Sequence, residues 1–156
     1  MSKIKLKIVS PALEEVLKGE SWLRDIFSVS LKEIMLKMQA EAKKKAKVDT
    51  GEMRKKIEME YVDDLHILVE ARAEHSAPVE FGRVPGIMPP VNVFEKWAKR
   101  HGFENPASAK WAIAMSIKKR GIPPSPFMGP AFDDVSEEAA DILKKNFERI
   151  KPPMDR

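Results

Sequence analysis

The sequence predicts an α+β fold: a small antiparallel sheet with a long central hairpin, packed against a long N-terminal helix and a C-terminal helix. Three observations carry that prediction. Apolar residues recur at steps of three and four over 23–46, which is one stripe on a long helix. They alternate over 57–73 on either side of Asp63-Asp64, which is a hairpin with an acidic two-residue turn. A second helical run, from about Pro130 to Ile150, closes the chain and is stopped by Pro152-Pro153.

The elements follow in order. In 3–9, KIKLKIV, Ile4, Leu6 and Ile8 share one face and lysines the other, so this is a half-buried strand with a lysine-guarded edge. Ser10 as N-cap, Pro11 in the first helical position and Gly19 past the end bound a short helix over 11–18. The long helix runs over 21–47 on a stripe of Leu23, Ile26, Phe27, Leu31, Ile34, Met35, Met38, Ala42 and Ala46, and Gly51 closes it. The hairpin sets Ile57, Met59 and Tyr61 against Ile67, Val69, Ala71 and Ala73. Proline and glycine make 74–90 a loop, with a short extended piece at 78–81. Asn92 and Glu95 are spaced as a capping box for the helix VFEKWAKRH, which Gly102 stops. Asn105-Pro106 opens another helix, which Gly121 stops, and IPPSPFMGP leads into the last. No internal repeat is visible, and 1–156 reads as one domain with 151–156 a disordered tail.

Composition narrows the function classes. At 156 residues, 43% hydrophobic and 33% charged, the chain has globular rather than disordered composition. No apolar run approaches the ~20 residues of a membrane span, and the basic N-terminus lacks the unbroken apolar core of a signal peptide. With no cysteine there is neither disulfide framework nor thiolate chemistry. A soluble intracellular product is the expectation. The net charge of +4 permits an anionic partner without demanding one.

Asp49-Thr50-Gly51 matches the loop of an aspartic protease, but such a site needs two carboxylates on loops within apolar strands. Here lysines on a helix lie just upstream, so the expected role is a corner: Asp and Thr bond neighbouring amides while Gly reverses the chain. His66, His75 and His101 have no metal-ligand spacing, and no phosphate loop or serine elbow is present; no catalytic, cofactor or metal site is assigned. Two basic clusters remain. One surrounds the corner and includes Lys43 and Lys44. The other includes Lys118, Lys119 and Arg120, with Trp97 and Trp111 nearby. Both are candidate anion contacts, though solvated helix faces with core tryptophans explain them as well.

Three islands stand in order along the chain: AKVDTGEMRKKI, APVEFGR and GIPPSPFMGPA. Together they resemble the gene-product-10-like family of tail components of long-tailed phages, proteins of the neck, head–tail joining or tail-completion kind. The matching positions are Asp49, Thr50, Gly51, Arg54 and Ile57 in the first island and Glu80, Phe81 and Gly82, after Ala77 and Val79, in the second. In the third they are Gly121, Pro126, Phe127, Pro130 and Ala131. Met53 stands for the usual leucine, Lys56 for serine, Ser76 for tyrosine and Arg83 for threonine. Arg54 is expected to pair with an acid such as Glu80. The resemblance implies a structural virion protein and no enzyme, made in the host cytoplasm and placed at the head–tail junction or tail end. Its partners would be its own copies, in a ring of hexamer or dodecamer class, other neck and tail proteins, and DNA passing through the ring. Cofactor, membrane and small-molecule substrate are not expected. The irregular stretches 74–90 and 121–130, with Val84, Ile87, Met88 and Phe127, are the expected contact loops. The alternative is a small basic nucleic-acid-binding module.

Overall fold

The computed structural model describes residues 4–7 and 21–150. Its elements are β1 (Ile4–Lys7), α1 (Ser21–Lys45), α2 (Glu52–Lys55), β2 (Ile57–Asp63), β3 (His66–Ala71), α3 (Ser76–Phe81), α4 (Val93–Arg100), α5 (Pro106–Arg120) and α6 (Met128–Arg149). This is the α+β class that the sequence predicts. The helix expected over 11–18 and the tail over 151–156 lie outside the described residues. The chain divides into two compact units, 1–77 with 126–156, and 78–125.

In the first unit β3 is the central strand, with β1 and β2 antiparallel on either side. Alternation sends Ile57, Ile67, Val69 and Ala71 to one face, where all four are buried against α1. Of the predicted stripe, Ile26, Met35, Met38 and Ala42 of α1 and Ala46 just past it are buried, while Leu23, Phe27, Leu31 and Ile34 are half-buried. Helix α6 lies along α1 with its own stripe of Met128, Ala131, Val135 and Ile142. The ion pairs Lys45–Asp134, Lys37–Glu138 and Lys145–Glu33 run in opposite chain directions, so the two helices are antiparallel. Asn146 is buried in this helix pair and donates to Glu33 Oε2 at 3.2 Å. That bond, with Lys145 nearby, holds the Glu33 carboxyl below its ordinary range.

The opposite face of the sheet is charged, and one arginine organises it. Glu58 stands directly across from Glu70, a like-charge pair that would be unfavourable alone. Arg72 donates Nε to Glu70, Nη1 to Glu58 and Nη2 to Glu60, at 2.6–2.8 Å, and this accommodates Glu70 although it is only 1% exposed. The turn falls one residue later than expected. The strands run to Asp63 and resume at His66, so Asp64 and Leu65 turn the chain, and Asp63 Oδ1 accepts the Leu65 amide at 2.8 Å. Asp63 also bonds the His66 ring.

In the second unit α4 and α5 pack together and Lys110 pairs with Glu95 across them. Helix α4 ends in a Schellman motif: Gly102 takes φ 74° and the Gly102 and Phe103 amides bond Lys99 O and Ala98 O. Asn105 caps α5 as its sequence predicts, accepting the Ser108 amide at 3.0 Å ahead of Pro106.

Three expectations are corrected. The stretch 78–81 is not extended but completes the helix α3. Val79 and Phe81 suggest a strand, yet Pro78 sits in the first helical turn, where its missing N–H has no intrahelical role. Asn92 is itself helical at φ −63°, ψ −24° and makes no side-chain cap, while Glu95 turns to Lys110 instead of back along the chain. Trp111 is not core: 56% of it is exposed. Of the apolar neighbours that suggest core, Ile113 lies on the far side of α5, and Met115 shares the face of Trp111 but is itself 41% exposed, so that face of the helix points outward.

Candidate functional site

The corner is built from α1 downward. A helix ends with carbonyls that lack intrahelical partners. Here the side chain of Arg54 supplies donors: Nε reaches Ala46 O at 3.1 Å and Nη2 reaches Lys44 O at 3.4 Å. To bring Arg54 back over the helix end the chain must reverse, and Gly51 does so at φ 76°. Thr50 Oγ1 accepts the Glu52 amide at 3.3 Å and Gly51 O accepts the Lys55 amide, starting the single turn of α2. Met53 and Ile57 are buried beneath it, and Gln39 of α1 donates to Ile57 O at 3.1 Å. Asp49 is exposed. Arg54 thus directs these two hydrogen bonds to main-chain carbonyls. Glu80, the acid named with it, is buried in α3.

The second and third islands meet in a clamp. Arg83 and Ile122 form an isolated antiparallel bridge, exchanging both N–H···O bonds at 2.8 Å. Two more main-chain bonds flank it, Gly86 N to Lys118 O at 2.8 Å and Ser125 N to Val79 O at 2.7 Å. Gly82 and Gly121 precede the two bridge residues, both at positive φ. A Cβ on Gly121 would stand 2.1 Å from Arg83 O, and one on Gly82 would stand 2.7 Å from Ile122 O. The two backbones can lie this close only because both residues are glycine. Beyond the clamp, Pro126 leads into the first unit, where Phe127 and Ala131 are buried and Pro130 sits in the first turn of α6.

The clamp leaves apolar side chains outside. Phe81, Val84 and Ile87 are each about 70% exposed (71%, 77% and 69%), and Met88 is half-buried. The expected contact loop is therefore outward-facing at Val84 and Ile87.

The two basic clusters differ. Around the corner Lys44 pairs with Glu41, Lys45 with Asp134 and Lys56 with Glu52, and Lys43 is half-buried. On α5, Lys118 and Lys119 are exposed and make no ion pair among the described residues, while Arg120 folds back on Ser116 Oγ. The charge is uneven as well: residues 78–125 carry eight Lys and Arg against three Glu. Sequence reading groups these lysines by position; which of them are neutralised depends on acids up to a hundred residues away. No described helix is long and apolar enough to cross a membrane.

The comparisons bear on the first two islands. No curated protein and no solved structure matches the chain. Residues 10–82 match the family model described as "Bacteriophage HK97-gp10, putative tail-component". The match takes in the corner and ends at the clamp's first glycine, Gly82; the third island lies beyond it. Over residues 10–82 the chain is therefore similar to the phage tail-component family that the corner and loop motifs resemble.

Proposed function

We propose that this chain is a structural protein of a phage or prophage virion that helps complete the head–tail junction, as a ring of its own copies in contact with neighbouring neck and tail proteins. The observation that carries the reading is the tail-component match over 10–82. The second unit agrees with it: a clamp held by main-chain bonds presents Phe81, Val84 and Ile87 outward, as a contact surface requires. Electron microscopy of particles made without the chain tests this. DNA-filled heads beside separate tails are the expected result, and joined, infective virions would overturn it.

One observation favours a second reading, a nucleic-acid-binding module: Trp111 is exposed on the helix that carries the exposed Lys118 and Lys119. Such binding would quench Trp111 and weaken steeply with salt. Quenching absent at physiological salt would remove this reading.

A further inference from the structure

A ring joins one face of each copy to a different face of the next, so each subunit must carry two unlike patches that fit one another. Two such patches stand among the described residues. The first is the hairpin tip. A register shift between Tyr61 and Asp63 leaves Val62 without a direct cross-strand partner, and Tyr61 and Val62 are 54% and 59% exposed. Glu60, Asp63 and Asp64 surround them, and residues 57–72 hold five carboxylates against one arginine. The second patch is the outer face of α5. Trp111 and Met115 lie one turn apart there, Met115 41% exposed, and Lys118 and Lys119 follow a turn later. Each patch has an apolar pair at its centre, and their charges are opposite.

We infer that the hairpin tip of one copy docks on the α5 face of the next, Tyr61 and Val62 against Trp111 and Met115, with Asp63 and Asp64 toward Lys118 and Lys119. The inference rests on the ring reading above and names its contact. A nucleic acid would engage the lysines and Trp111 but would leave the acidic, apolar tip without an occupant. A second copy covers both patches at once. Charge of this kind sets the orientation and register of a contact, and the apolar pairs supply the area removed from water.

The chain has no cysteine, so single cysteines report the contact cleanly. Full-length Val62→Cys and Met115→Cys chains are mixed at the highest soluble concentration, oxidised, and the mixed disulfide is weighed by mass spectrometry. Leu36→Cys, on the exposed side of α1, replaces Met115→Cys in the control. The mixed Val62–Met115 product should exceed the control about tenfold, and adding Asp63→Lys and Asp64→Lys should cut it by about the same factor. A yield no greater than the control, or a Val62–Val62 product in its place, overturns the docking. Particle microscopy decides the neck reading separately. Separate heads and tails without the cross-link would remove this contact alone, whereas joined virions with the cross-link would remove the neck role and keep the contact.

Discussion

The two units are held together by different physics. The first is held by side-chain volume: it contributes nearly all the buried apolar residues among those described. The second contributes only the small residues Ala98 and Ala114 and the ring of Pro89. It relies instead on main-chain hydrogen bonds, a glycine-tight bridge and polar contacts such as the Lys110–Glu95 ion pair, while Phe81, Val84, Ile87, Val93, Phe103, Trp111 and Met115 remain exposed. A segment of 48 residues is near the size at which a core alone is marginal. The difference teaches where to look for partners. The first unit buries a large apolar core and leaves its hairpin tip, Tyr61 and Val62, outside it, while the second keeps most of its apolar surface for something else.

The contrast can be broken by substitution. Phe127→Ala removes a fully buried ring from the first unit and should cost about 3–5 kcal/mol in urea unfolding. Little loss there would mean that side-chain volume is not what holds that unit. Gly121→Ala changes one methyl group in the second unit yet should cost about 2–4 kcal/mol, because the Cβ meets Arg83 O. Hydrogen exchange should show Arg83 and Ile122 losing protection while Val69 keeps its own. Gly51→Ala makes a sharper comparison still. It has the same sign of φ but open space around it, so only the left-handed penalty of about 1–2 kcal/mol applies. Trp111→Ala should stay within about 0.5 kcal/mol despite deleting the larger ring, and acrylamide should quench Trp111 readily in the unmodified chain.

The smallest effect is electrostatic. Lys110 holds the Glu95 carboxyl below its ordinary 4.5, so this bridge stabilises above that pH and loses its contribution as pH falls through the lowered folded value. Glu95→Gln should flatten the acid limb of exchange protection in α4 and α5. An unchanged limb would mean that the pair contributes nothing to the second unit.

Much of the first unit is legible in the sequence. The α1 stripe, the alternation of β2 and β3 and the start of α6 near Pro130 all rest on local periodicity, which a buried face imposes directly. The Asn105-Pro106 cap and the Gly102 and Gly121 stops are equally local. What escapes is long-range. Gly82 and Gly121 each read as a turn or a helix stop; that they face one another across 39 positions follows only from the fold. The Asp-Thr-Gly corner suggests a chain reversal, but not that Arg54 reaches back to the carbonyls of α1. Trp111 resembles core because Ile113 and Met115 near it are apolar, whereas the face of α5 that carries Trp111 and Met115 is exposed. Glu70 falls on the charged face by alternation, and its near-complete burial has no local signal at all.

The Arg72 fork has a mechanical consequence. Sliding β2 past β3 by one residue would exchange the faces of a strand, and the buried set Ile57, Ile67 and Val69 opposes this from one side. On the other side the same slip would have to release Glu58 and Glu60 from Arg72 together. Locked above and below, the hairpin is a lever of fixed length. Insertions between Asp64 and Leu65 would extend its reach without shifting its anchorage, while a single-residue insertion within β3 would turn the lever over.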